Sequence, residues 1–134
     1  MRIGDRGERP VSQRRSRSLM LALGTIAVGL LVHFGGGVLA PWFRDVLGDA
    51  LWAMMIVWWA GVAVPQLPLR TRAAAALAVC VAVETSQLYH APWLGAVRGT
   101  VPGHLVLGSD FDPRDFVAYT AGILIAALVA REIA

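Results

Sequence analysis

Four long apolar stretches, separated by short polar or proline-containing breaks, dominate the pattern along this chain. They run over 19–40, 46–64, 73–90 and 113–131. Each comes close to the ~20 residues a helix needs to cross ~30 Å of hydrocarbon. Inside a bilayer each backbone polar group must find its partner within its own segment, so apolar runs of this length are expected to be helices. Prolines mark the breaks: Pro41 follows the first stretch, Pro65 and Pro68 the second, and Pro92 the third. The pattern therefore predicts an all-α integral membrane protein, a four-helix transmembrane bundle over 19–134 preceded by a basic tail over 1–18.

Composition supports this and charge orients it. Of 134 residues, 57% are hydrophobic and 16% charged, where a soluble domain carries about 25% charged residues. Six of the twelve arginines lie in the first 18 residues. No folded nucleic-acid module follows this tail, so nucleic acid is not an expected partner. Membrane lipids are, with the tail anchored on an anionic cytoplasmic surface. With the N-terminus inside, Arg70, Arg72 and Arg131 join the tail, leaving Arg44, Arg98 and Arg114 outside. That bias predicts a multi-pass protein of the cytoplasmic (inner) membrane with both termini cytoplasmic. A signal peptide cut after Ala40 is the competing reading of the first stretch, but it would strand an odd number of helices. Cys80 has no partner cysteine and says nothing of redox compartment.

The connection 91–112 carries Trp93, Leu94, Val97, Val101 and Leu105 between Gly95, Gly99, Gly103 and Gly108. A loop so apolar is expected to fold back on the outer mouth of the bundle, shielded by protein.

Polar residues within spans usually face a bundle interior or a cavity. At 100° per residue, Asp49, Trp52 and Ile56 share a stripe of the second helix; Glu84, Gln87 and Leu88 one of the third; and Asp115, Tyr119 and Gly122 one of the fourth. The acids fall at one depth on the outer side, and Arg98 is the expected counter-charge. On the third helix, Ala74, Ala78, Ala82 and Ser86 form a small-residue ladder opposite Glu84, which predicts a central helix packed through that ladder. Simpler roles compete: Asp112-Pro113-Arg114-Asp115 reads as a helix start, and Asp45 as a cap for the second helix. His90, His104 and nearby aspartates match no metal-ligand spacing, so neither metal nor cofactor is expected. Trp42, Trp58, Trp59 and Trp93 fit interfacial belts.

Glu84-Thr85-Ser86-Gln87, then Arg98, then Asp115 with Gly122 seven residues on, resembles the signature of the VanZ-like membrane proteins. Tyr119 stands where that pattern has Asn, and the connection before Asp115 is longer. A small bacterial family, domain-of-unknown-function family 2809, is closer still. The likeness lies in Gly48-Asp49-Ala50-Leu51-Trp52-Ala53, in Leu107-Gly108 with Phe111, and in Asp115-Phe116-Val117-Ala118-Tyr119 through Gly122. It covers about residues 20–130 and implies a bacterial membrane protein. The VanZ-like likeness implies the cell envelope and a link to reduced susceptibility to lipoglycopeptide antibiotics such as teicoplanin.

No nucleophile stands beside a base, so no reaction is assigned. Two functions fit. In one, Glu84, Gln87, Arg98, Asp115, Asp49 and Tyr119 bind a lipid-linked, glycopeptide-type or other envelope molecule at the outer leaflet. In the other, the protein is a non-catalytic accessory or packing subunit of a membrane complex and the same cluster is structural.

Overall fold

The computed structural model describes residues 9–108 and 110–132, and all regular structure among them is helical. There are four long helices: α1 (Val11–Phe34), α2 (Pro41–Ala63), α3 (Leu69–Ser86) and α6 (Asp115–Glu132). Two short ones, α4 (Pro92–Arg98) and α5 (Val101–Leu107), fill the connection between α3 and α6. α1 and α2 are each long and apolar enough to cross a membrane.

The prolines act as starts. Pro41 and Pro92 occupy the first turns of α2 and α4, and Pro68 directly precedes α3. The ring fixes φ near the helical value, and its missing N–H is one that a first turn leaves unpaired anyway. α2 therefore begins four residues before Asp45, which is not its cap. α1 begins at Val11, so Arg14, Arg15 and Arg17 are helical; the first eight residues of the expected tail lie outside the described residues. Arg72 closes the turn between α2 and α3 by donating to the carbonyls of Pro65 and Leu67 at 2.8 and 2.9 Å.

The central helix is α2, which packs against α1, α3 and α6, while α3 touches α2 and α6. The expected centrality of the third helix is thus corrected, and so is its packing face. Ala74, Ala78 and Ala82 are exposed. α3 packs instead through Ala76, Cys80 and Glu84, also four residues apart. Its polar face and its packed face are the same, because Glu84 finds its hydrogen-bond donors on and just before α6.

The core is built of small residues. Ala22, Ala53, Ala76, Cys80 and Ala126 are fully buried, with Val57, Trp58, Tyr119 and Ile123 among them. Large apolar side chains point outward instead, Leu31 at 72%, Val117 at 73% and Leu128 at 60% exposure. Gly122 brings α6 so close to α2 that a Cβ there would overlap the Ala50 carbonyl. Trp42, Trp59 and Trp93 are exposed, but Trp58 is buried in the core and belongs to no belt.

Candidate functional site

Glu84 lies in the last turn of α3 and is fully buried. One carboxyl oxygen accepts the Asp112 backbone N–H at 2.8 Å; the other accepts the Tyr119 hydroxyl at 2.9 Å. A single side chain thereby ties the end of α3 to both the approach and the body of α6. Tyr119 reaches Glu84 because it sits one turn into α6, on the stripe shared with Asp115 and Gly122. At the start of α6, Asp112 accepts from the Arg114 backbone N–H at 2.9 Å and from its guanidinium at 3.2 Å. The backbone bond first, and the side-chain bond second, hold the Asp112 carboxyl below its ordinary range. The Asp-Pro-Arg-Asp segment thus forms the turn that leads into α6, which begins at Asp115 and not at Pro113.

Gln87 follows α3 directly and is also buried. Its Nε2 donates to the Leu107 carbonyl at 2.8 Å, which holds the end of α5 against the end of α3. Gly108 comes next with φ of 65°, in the left-handed region that favours glycine. A Cβ at Gly108 would crowd that same Nε2. The second amide atom, Oε1, is buried without a partner. Leu107 offers only an acceptor, so the amide orientation is fixed and the unpaired atom is the carbonyl oxygen.

Asp49 and Asp115 are electrostatic neighbours across the α2–α6 interface. The other charged groups acting on Asp49 are Glu84 and Asp45, both acids. Five of the six expected residues, Glu84, Gln87, Asp49, Asp115 and Tyr119, therefore converge at one end of the bundle.

Arg98 does not join them as a counter-charge. Its guanidinium donates to the carbonyls of Ser86 and Tyr89 at 2.7 and 3.1 Å, and its Nε has no partner. The last carbonyls of a helix lack intrahelical donors, and a guanidinium at the end of α4 supplies them here. Glu84 is already satisfied by uncharged donors and needs no cation.

An open cleft of about 850 Å³ leads from this cluster between α1 and α2, with α5 on its rim. Asp49, Gln87, Asp115 and Tyr119 line its polar end, whereas Glu84 and Arg98 do not reach it. Ile26, Leu30, Leu51 and Met55 line the apolar side. His104, Leu105 and Val106 of α5 contribute to its wall, but Trp93, Val97, Val101, Leu105 and Val106 stay exposed, so the apolar connection is not shielded by protein as expected. The contribution of α1, through Thr25, Gly29 and His33, escaped the sequence pattern. Thr25 and His33 are the polar side chains of an otherwise apolar stretch.

The molecule is thus an all-helical protein with membrane-compatible helices and a buried polar cluster opening on a cleft. The family model described as "Protein of unknown function (DUF2809)" matches residues 38–123, and the chain belongs to that family. The match spans α2 to the middle of α6, with the five clustered residues and Arg98 inside it. No solved structure matches the chain.

Proposed function

We propose that this is a multi-pass membrane protein with α1, α2, α3 and α6 as its four spans, and that the cleft holds the polar head of an amphipathic envelope molecule at the outer leaflet. The cleft carries this reading: it joins an apolar wall to a cluster of polar side chains with one acceptor left unpaired. The inverted surface, large apolar side chains outside and small ones within, supports a bundle in lipid, where helices associate through close contact of small residues. α3 and α6, at 18 residues each, would reach about 27 Å at 1.5 Å per residue. The cluster lies at the end away from Arg14, Arg17, Arg72 and Arg131, which is the outer end if arginines mark the cytoplasm.

Reporter fusions test the orientation. A fusion after residue 134 is expected to report cytoplasm and one within 99–101 the outer side; a cytoplasmic signal from the second would refute the topology.

Bound amphiphile tests the function. A Cβ at Gly29 or Gly48 meets nothing within 4 Å, and both glycines line the cleft. Gly29→Phe and Gly48→Phe should fill it while leaving the bundle folded. Native mass spectrometry of the protein extracted from membranes is expected to show a retained adduct that both variants lose. Equal adducts in wild type and variants would sink the reading. The accessory-subunit reading has Glu84 in its favour, since both carboxyl oxygens are consumed by internal bonds, and it predicts no adduct at all.

A further inference from the structure

The connection between α3 and α6 carries an apolar surface that the bundle leaves uncovered. Trp93 and Val97 stand one turn apart on α4, as Val101 and Leu105 do on α5. All four are exposed, Trp93 at 64% and Val101 at 56%. Leu88, Tyr89 and Val106, close by in the chain, are exposed as well. The other stripes of the two short helices are engaged: Leu94 and Gly103 are buried, and Arg98 donates to the carbonyls of Ser86 and Tyr89. A Cβ at Gly103 would overlap the Val97 carbonyl, so α5 turns back tightly on the end of α4. Between Glu84 and Asp110 the chain has no Asp, Glu, Lys or Arg except Arg98.

A hairpin in water would carry polar side chains on its outer stripes and leave its helix ends to the solvent. Here side chains close the ends. Arg98 serves Ser86 and Tyr89, Thr100 donates to the Val97 carbonyl at 2.7 Å, and Gln87 donates to that of Leu107 at 2.8 Å. The Thr100 hydroxyl also accepts the Gly103 N–H at 3.1 Å. Carbonyls at or just past helix ends are thus met from within, which solvent makes optional and membrane depth makes necessary.

Length sets the depth. Arg70 and Arg72 lie in the first turn of α3, and charged side chains stay at the membrane surface or turn inward. From Ala73 to Ser86 the helix rises about 20 Å at ~1.5 Å per residue, whereas the hydrocarbon is ~30 Å thick. α3 therefore ends about 10 Å below the outer surface, and tilt would lower its end further.

Resting on the four-span reading above, we propose that the α4–α5 hairpin lies within the outer leaflet, its Trp93, Val97, Val101 and Leu105 face against lipid acyl chains. Trp93 brings the one polar side-chain atom of that face, an indole N–H suited to the border between chains and headgroups. Because His104, Leu105 and Val106 also wall the cleft, the hairpin sets the depth of the cleft's rim in the leaflet.

The test places nitroxide labels on the full chain in phosphatidylcholine nanodiscs, through Val97→Cys, Val101→Cys, Gln66→Cys and Leu124→Cys. All four positions are exposed, and the wild type supplies the background from Cys80, which is buried. Collision with oxygen, which concentrates in lipid, is compared with collision with a water-soluble nickel chelate. The Val97→Cys and Val101→Cys labels are expected to favour oxygen, as Leu124→Cys in α6 does, while Gln66→Cys in the α2–α3 turn favours the chelate. Val106→Cys, exposed on α5, replaces a hairpin variant that does not fold. Chelate preference at either hairpin position, with oxygen preference kept at Leu124→Cys, would put the hairpin in water and overturn the proposal while the four spans stand. Protection from both reagents would overturn it too, because protein, a second copy or another subunit, would then cover the face. Chelate preference at Leu124→Cys would overturn the span reading and the proposal together.

Discussion

Gly122→Ala is expected to destabilise the protein by about 3 kcal/mol, the upper end of what overpacking costs, and Gly122→Val to prevent a folded bundle altogether. Helix propensity alone predicts the opposite sign, since alanine is favoured over glycine by about 1 kcal/mol in a helix interior. Packing decides here. A Cβ on Gly122 would overlap the Ala50 carbonyl oxygen and lie too close to its carbonyl carbon and Cα. Those are backbone atoms of the central helix and cannot rotate away as a side chain would. α6 would have to withdraw from α2, which also separates Asp115 from Asp49. Gly24 on α1 is the control, because a Cβ there meets nothing within 4 Å; Gly24→Ala is expected to be neutral or mildly stabilising. Reversible unfolding in mixed detergent, followed by helical circular dichroism, compares the two. If Gly122→Ala proves as harmless as Gly24→Ala, the close α2–α6 contact is not what holds the bundle.

This contact also gives a physical sense to the Asp115…Gly122 spacing. Seven residues are two turns, so the acid and the glycine share one face of α6: the acid meets Asp49 at the end of the bundle and the glycine meets Ala50 deeper in. Helical periodicity made that face legible in the sequence, and likewise placed Glu84 with Gln87 and Asp115 with Tyr119. The four long helices were legible as well, because apolar runs of that length leave the backbone no other way to satisfy itself.

Other features were not legible, for reasons of the same kind. Periodicity tells which residues share a stripe but not which stripe packs. Two ladders spaced by four run along α3, and the one through Ala74, Ala78 and Ala82 looked the better interface because it is uniformly small. Glu84 decided otherwise, since a buried carboxyl must be brought to its donors. The partner of that carboxyl was likewise beyond reach of charge counting. Arg98 was the obvious cation in the nearby loop, yet a backbone N–H and a phenol satisfy Glu84. The guanidinium serves carbonyls that every helix end leaves open. The α1 wall of the cleft carries few markers beyond Thr25 and His33, because apolar lining and apolar lipid-facing residues look alike in sequence.

Removing the Glu84 carboxyl should be the second severe lesion, and its form distinguishes a tie between helices from a merely tolerated polar residue. Glu84→Leu leaves the Asp112 N–H and the Tyr119 hydroxyl without partners, each costing about 1–3 kcal/mol where water does not reach. Tyr119→Phe removes one donor and leaves one carboxyl oxygen unpaired, so its loss is expected to be about half as large. The two changes should not add. In the double variant the hydroxyl that Glu84→Leu strands is already gone, and the shortfall from additivity is the coupling between the pair. Interhelical hydrogen bonds in membranes couple by about 0.6–1.7 kcal/mol, and the 2.9 Å bond between two buried groups belongs at the upper end of that range. Glu84→Gln is the conservative member of the set: it keeps volume and one acceptor oxygen, which can still receive the Asp112 N–H, while the hydroxyl of Tyr119 can turn to accept from the new amide. It should therefore retain most of the stability that Glu84→Leu loses. Unfolding free energies for the four members of the cycle and for Glu84→Gln supply the check. Strict additivity, or a Glu84→Gln variant as unstable as Glu84→Leu, would mean that Glu84 does not fasten α3 to α6 through Tyr119 and Asp112.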